Sequence, residues 1–329
     1  MVFVLIPFLV LGIAATSYAV SVGLSAKEAV DQAQQELESR KESNKSSLRD
    51  KPIDPNVDNT SILFMGIDSS DTRGFGSDNA RTDALLLATF NKNDKSVKVV
   101  SIPRDTYTEI IGRDYNDKIN HAHAFGGIDM TVQTVEQFLQ VPVDYYVRLD
   151  FQAFMSIIDT LGGVTVDVPF AFSEQNSEDV QGAITLREGE QTLNGEEALA
   201  FARTRIDSDF QRGQRQQLII ESVLEKSMRL ESITKFDDVF TDISDHLTTN
   251  MKFNDMISFH DYLTTNGQLD VEHLSLIGEG TYIRNSVGQD VYYYQVSDDS
   301  LQEVQQNLQR HLDVNSPEDD TSTASSPSR

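Results

Sequence analysis

The first 26 residues carry no charge; Lys27 is the first charged side chain. Within that run VFVLIPFLVLGIAA is continuously apolar. A helix rises about 1.5 Å per residue, so residues 1–24 reach about 36 Å, enough to cross a hydrocarbon core of about 30 Å. Pro7 and Gly12 are tolerable in a membrane helix. Two fates are open to such a segment: an uncleaved anchor, or a signal peptide removed near SYAVS, where small residues collect. No basic n-region precedes the run, and the apolar stretch is longer than a typical h-region. The expected reading is therefore a retained single-pass transmembrane anchor over 1–24.

Composition then switches. AKEAVDQAQQELESRKE has good helix formers and few large apolar residues, and Pro52 and Pro55 end it. Residues 25–58 are expected to form a solvated helical spacer or stalk. From residue 59 the chain alternates short apolar runs with amphipathic segments. SILFMGI (61–67), ALLLATF (84–90) and SVKVVSI (96–102) predict central strands joined by tight turns. Helical spacing follows at 130–140. YYVRLD and VTVDV predict strands on either side of a helix over FQAFMSIIDT, and 195–203 and 215–230 predict further helices. This alternation predicts an α/β or mixed α+β class, a central sheet covered by helices. The folded region is expected to run over 59–312, and DVNSPEDDTSTASSPSR over 313–329 reads as a disordered tail.

Charge and composition remove several functions. The chain has 52 acidic and 27 basic residues, a net of −25, which disfavours nucleic acid as a partner. It has no cysteine, so thiolate catalysis, disulfides and cysteine zinc sites are excluded. Against that acidic background the arginines gather beside carboxylates at predicted strand ends. Asp68 and Asp71 follow the first strand, Arg81 and Asp83 precede the second, and Arg104 and Asp105 follow the third. Arg203, Arg205, Asp207, Asp209, Arg212 and Arg215 fall within 13 residues. Ligands of α/β sheets sit at strand carboxyl ends, and arginine is the planar fork that grips phosphate oxygens. Carboxylates without thiols favour a hard cation, Mg²⁺ or Mn²⁺. Several arginines plus two or three aspartates at one rim point to a metal-bridged phosphate or pyrophosphate and to phosphoryl transfer. A surface salt-bridge network is the bland alternative.

Weaker signals are present. His121 and His123 form an HxH pair without an evident third ligand, which reads as ordinary loop or core histidine. Lys118 is suited either to phosphate contact or to capping a helix. No Walker-type lysine follows GGVTVDV, which reads as strand entry. The apolar residues of FQAFMSIIDTL are suited to a core or to the wall of a lipid tunnel.

The segments ILFMGIDSSD, ARTDALLLATF, VVSIPRDTYTEI, DKINHAHAFGG, LGGVTVDV and LNGEEALAFARTRIDSDFQRGQRQQ resemble, in sequence and in order, the LytR–CpsA–Psr family. The resemblance covers about residues 60–220, and an anchor ahead of it fits the family layout. It implies one extracytoplasmic α/β domain at the cell membrane that binds a polyisoprenyl pyrophosphate lipid. It also implies transfer of a phosphate-linked glycopolymer, teichoic acid or capsular polysaccharide, from that carrier to peptidoglycan.

Carried over by residue, Arg81, Arg104, Arg203 and Arg205 match the pyrophosphate-gripping arginines. Asp83 matches a metal-associated aspartate, with Asp68 or Asp71 as its partner. Asp105 is expected to orient Arg104 or accept a proton. Arg212, Arg215, Gln216 and Gln217 match the end of the last motif and are expected to line the head-group site, with Lys118 among the substrate contacts and Asp209 holding the arginines. Two other readings stand beside transfer: a pyrophosphohydrolase on the same lipid, with water replacing the sugar hydroxyl, and a non-enzymatic anchored envelope regulator.

Overall fold

The computed structural model describes residues 30–67, 81–204, 215, 218, 219, 222, 246–259, 270–284 and 288–314. In chain order the strands are β1 (Thr60–Ile67), β2 (Thr82–Asn91), β3 (Ser96–Ile102), β4 (Tyr107–Glu109), β5 (Asn116–Lys118), β6 (Tyr145–Asp150), β7 (Val164–Val168), β8 (Phe172–Glu174), β9 (Ile184–Leu186), β10 (Gly189–Leu193), β11 (Leu247–Thr249), β12 (Asp270–Ser275), β13 (Gly278–Arg284) and β14 (Asp290–Val296). The helices are α1 (His121–Leu139), α2 (Phe151–Thr160), α3 (Gly195–Arg203), α4 (Phe253–Ser258) and α5 (Asp298–Leu312). Among the described residues no helix is long and apolar enough to cross a membrane. The expected anchor at 1–24 lies outside them.

Six strands form one mixed sheet in the order β11-β6-β1-β2-β3-β12. The continuous apolar runs of β1 and β2 occupy its centre because both of their faces are covered. Alternate residues divide between two cores. Ile62, Phe64, Leu86, Ala88 and Val147 pack toward α2 and α3, whereas Leu63, Met65, Leu85, Leu87 and Tyr146 pack toward α1 and α5. Burying one such side chain is worth about 1.5–3 kcal/mol, so the sheet position is strongly determined.

Strand polarity sets the place of the chemistry. β1 pairs parallel with β6 (Ile67 opposite Asp150) and antiparallel with β2 (Ile67 opposite Thr82). β2 pairs with β3, Leu85 opposite Ile102. The carboxyl ends of β1, β3 and β6 and the start of β2 therefore share one rim. The β4–β5 hairpin, unsuspected in the sequence, sets Lys118 opposite Tyr107 and so returns it to the chain just past Arg104.

The stalk expected over 25–58 is corrected by its described part. Residues 30–58 pack on the domain: Val30, Ala33 and Leu37 are buried, and Gln35 N donates to Thr249 O at 2.7 Å. Arg40 reaches into the interior, donating to Val143 O at 2.5 Å and to Glu136 Oε1 at 2.7 Å. The same Oε1 accepts from Val143 N at 2.9 Å and from the Ser46 hydroxyl. Small apolar residues spaced along a polar stretch were enough to dock it, because a sheet edge and a buried carboxylate awaited them.

Candidate active site

The rim arginines are held by carboxylates. Arg104 Nη1 donates to Asp83 Oδ1 at 2.6 Å, and its Nε lies 3.6 Å from Asp105 Oδ2. Lys118 Nζ donates to Asp105 Oδ1 at 2.6 Å. Asp83, Arg104, Asp105 and Lys118 thus form a chain of alternating charge. Burial opposes the Arg104 charge, but Asp83 and Asp105 outweigh it and hold the guanidinium above its usual pKa. Both Asp105 oxygens face cations, so this residue orients Arg104; of its two expected roles, positioning is the one the geometry serves. Backbone bonds fix the segment further: Asn120 N donates to Arg104 O at 3.2 Å, and Ile119 N to Thr106 O at 2.8 Å.

Arg203 arrives from the other side of the sheet, at the end of α3. Asn194 and Glu197 close a capping box at that helix's start. Gly195 N donates to Asp159 Oδ1 at 2.8 Å, and a Cβ at Gly195 would stand 2.6 Å from Met155 O, so only glycine lets α3 approach α2 this closely. The Arg203 guanidinium carbon lies 4.9 Å from the Phe151 ring centroid. Phe151 follows Asp150 at the carboxyl end of β6, which ties Arg203 to the rim. Its Nη2 is 3.7 Å from Asp179 Oδ1, and its buried Nη1 has no hydrogen-bond partner among the described residues. Thr82 Oγ1 and Thr204 Oγ1 are likewise buried without a partner. Native interiors rarely leave such donors and acceptors unmet, and here one belongs to Arg203 and two to the chain neighbours of Arg81 and Arg203.

Arg215, expected to line the head-group site, is corrected by the structure. It is only 2% exposed, and its Nε and Nη2 donate to Phe201 O at 3.2 Å and Thr204 O at 2.8 Å. It ties off carbonyls at the end of α3 and so supports Arg203 from behind. Arg81 is exposed immediately before β2. Asp68, Asp71, Arg205, Asp207, Asp209, Arg212, Gln216 and Gln217 lie outside the described residues.

Some rim residues carried no sequence signal. His246 Nδ1 lies 2.7 Å from Asp150 Oδ2, while Asp150 Oδ1 caps α2 by accepting from Ala153 N at 3.0 Å. His246 stands next to β11, which pairs with β6 from about 100 residues away, and only the folded sheet joins them. The HxH pair is spent locally. His121 Nδ1 lies 2.8 Å from Asp117 Oδ2, and His123 is fully buried. Burial alone would raise Asp117, but hydrogen bonds from His121 and Lys118 N hold it below the usual carboxylate range. Among the described residues no group of three His, Cys, Asp or Glu converges as a metal cluster. The donor set at Asp83, one partly exposed carboxylate with one oxygen on Arg104, suits a hard cation that takes most of its shell from substrate oxygens.

Known proteins are similar to this chain in sequence and fold. Over 271 residues the chain is 42% identical to the polyisoprenyl-teichoic acid–peptidoglycan teichoic acid transferase TagT of Bacillus subtilis strain 168, covering 82% of each chain. It is 41% identical over 273 residues to the like-named TagU of Bacillus licheniformis, covering 82% of this chain and 83% of the relative. The structure of TagT bound to LIIa-WTA superposes with a TM-score of 0.65 at 39% identity, over 82% of this chain and 97% of that one. TagT with bound octaprenyl pyrophosphate lipid gives 0.62 at 37% identity, over the same shares. The LytR_cpsA_psr family model matches residues 20–310, and the chain belongs to that family.

Proposed function

We propose that this chain transfers a phosphate-linked glycopolymer, of the teichoic acid class, from a polyisoprenyl pyrophosphate carrier to peptidoglycan. The observation that carries the reading is the braced Arg104, between Asp83 and Asp105, on the same rim as an Arg203 with an unmet donor. The relatives named as teichoic acid transferases support the substrate class. The two arginines arrive from opposite ends of a four-strand span, β3 to β6, roughly 14 Å at about 4.8 Å per strand. Side chains reaching inward over that span suit a pyrophosphate between them.

In the reaction a peptidoglycan hydroxyl oxygen attacks the phosphorus bonded to the polymer. The new O–P bond forms as the bridging P–O bond breaks, polyisoprenyl phosphate leaves, and the hydroxyl proton is released. Arg104 and Arg203 neutralise charge on the phosphate oxygens, and Arg81 and Arg205 are assigned the same role. Asp105 and Lys118 keep Arg104 aimed. Asp83, with Asp68 or Asp71, would hold Mg²⁺ or Mn²⁺, which supplies charge neutralisation at the pyrophosphate. Residues 1–24 anchor the chain in the membrane, and the folded domain works outside it on lipid-linked wall precursors.

The test is transfer of labelled lipid-linked polymer to peptidoglycan oligomers by the purified chain. The reading requires acceptor-dependent release of polyisoprenyl phosphate that Arg104→Ala slows about a hundredfold or more while the fold persists. Equal release with and without acceptor would assign the hydrolase instead. Lipid binding without turnover would assign the regulator.

A further inference from the structure

The β13–β14 hairpin carries a set of tyrosines that the arginine rim does not use. Tyr282 and Tyr292 are direct cross-strand partners. Their rings meet edge to face with centroids 5.6 Å apart, and the side chains are 71% and 38% exposed. A Cβ on Gly280 would stand 2.7 Å from the Tyr292 ring, so the missing side chain is what lets that ring lie down on the strand. Rings at an angle of 69° form an open corner, one wall an aromatic face and the other an aromatic edge.

This corner is continuous with the rim. Tyr294 N donates to Asp105 O at 2.8 Å, and Thr106 bridges Tyr294 in a parallel sense, so β14 is bonded directly to the segment behind Arg104. Lys118 Nζ, already on Asp105, lies 6.0 Å from the Tyr292 ring centroid and 5.8 Å from that of Tyr293. Tyr293 in turn packs edge-on against Tyr107 at 4.9 Å. An aromatic path leads from the orienting lysine outward to exposed rings.

We propose that this tyrosine corner docks the acceptor, a neutral stretch of glycan strand, and leads its hydroxyl toward Arg104. The inference rests on the transferase reading and adds where the acceptor binds. Sugar rings present faces of C–H groups with partial positive charge, which the negative face of an aromatic ring attracts. Charge argues against an anionic ligand on the same surface. The face that bears the corner carries Arg284 and Asp290, 3.8 Å apart, Glu279 alternates to the opposite face, and Lys118 is paired with Asp105. An anionic lipid surface, or the anionic polymer, would find no net positive charge to hold it here.

The experiment uses the purified full chain, co-sedimented with peptidoglycan sacculi stripped of secondary polymer, alongside kinetics in which donor and acceptor are varied separately. Tyr282→Ala with Tyr292→Ala should weaken sacculus binding and raise the acceptor KM by about tenfold, two ring contacts' worth, with the donor KM unchanged. Tyr282→Phe should keep both near wild type. Circular dichroism confirms folding, and because both rings are exposed the fold should persist. Sacculus binding unchanged by the double substitution overturns the proposal, as does failure of the unsubstituted chain to bind sacculi. Loss of binding to phosphatidylglycerol vesicles with sacculus binding intact overturns it in favour of a membrane contact. If no transfer occurs in the unsubstituted chain, the transferase reading fails on its own, while sedimentation still decides whether the tyrosines hold glycan.

Discussion

Both ends of the six-stranded sheet carry arginine–carboxylate pairs, and they are built differently. Where β1 and β6 begin, Arg49 Nε and Nη2 donate to Asp144 Oδ1 and Oδ2 at 2.9 and 2.6 Å. The same Nη2 reaches Asn59 O at 3.0 Å, and Asp144 Oδ2 also accepts from Ser61 N at 2.9 Å. The side chains are 9% and 4% exposed. Where β1 and β6 finish, Arg104 and Asp83 share one hydrogen bond, are 25% and 35% exposed, and lie on the rim with an arginine whose Nη1 is unmet. The first pair has its capacity filled by protein and works as a clamp. The second keeps capacity for a ligand. Residue type does not separate clamp from site; exposure and saturation do.

The largest expected loss lies at the clamp. Asp144→Ala leaves Arg49 buried without its counter-charge, which costs about 3–5 kcal/mol. Denaturation of the purified chain should show that loss, while transfer per folded molecule stays at wild type. A loss below about 1 kcal/mol would mean that the clamp is no more structural than an exposed pair.

At the rim the effects reverse. Arg104→Ala and Arg203→Ala should each lose about 2–4 kcal/mol of transition-state stabilisation, roughly a hundredfold or more in rate. Their stability should move by less than about 1 kcal/mol, since surface pairs contribute little. Arg104→Lys should rescue only in part, because a point charge lacks the planar fork. Single-turnover transfer beside a melting curve reads both quantities, and full activity in Arg203→Ala would remove that residue from the site.

Arg215 lies between the two cases, buried like Arg49 yet bonded to the carbonyls under Arg203. Arg215→Met should lower stability by about 1–3 kcal/mol, the cost of unmet buried carbonyls, and should also slow transfer. Stability loss alone would make it a clamp without influence on Arg203. Asp83→Asn sharpens the metal assignment. It should raise the half-saturating Mg²⁺ concentration about tenfold, some 1.4 kcal/mol, and weaken Mn²⁺ binding in the presence of inorganic pyrophosphate. Unchanged Mn²⁺ binding would reassign Asp83 to Arg104 alone.

Much of this was legible in the chain before folding. Apolar runs marked β1 and β2, because a strand buried on both faces has few polar positions to dilute it, and the β-branched residues around Lys98 marked β3. Arg104 and Asp105 stood out because their motif places charge directly after such a run. What stayed hidden depends on distant partners. Residues 30–58 read as solvated because their anchoring groups, Glu136 and Asp144, come about 90 residues later. Arg215 read as a ligand contact because sequence shows an arginine near other arginines and not which carbonyls it will meet. His246 and Asp150 meet only through the register of β11 on β6. The turn onto β14 was equally silent: Tyr294 and Asp105 are joined by one backbone bond across 188 intervening positions.

The smallest expected effect lies at the clamped end and is read by pH. His311, on α5, is 5% exposed against the β2–β3 turn. Its Nδ1 is 2.8 Å from Thr89 Oγ1 and its Nε2 2.8 Å from Ser96 Oγ, so both ring nitrogens are engaged by hydroxyls. Burial lowers its pKa; Asp94 and Glu272 pull upward and Lys98 adds to the lowering. The neutral ring is therefore the folded form. The unfolded chain protonates first as pH falls past about 6.5, the ordinary histidine value, so this contribution is whole above that pH and is lost as pH drops through the lowered folded value. Acidification from pH 7.5 to 5 should reduce stability by less than the Asp144→Ala loss, and His311→Gln should flatten that part of the curve without touching transfer at neutral pH. An unchanged slope in His311→Gln would overturn this assignment, and the filled end of the sheet would then be indifferent to protons.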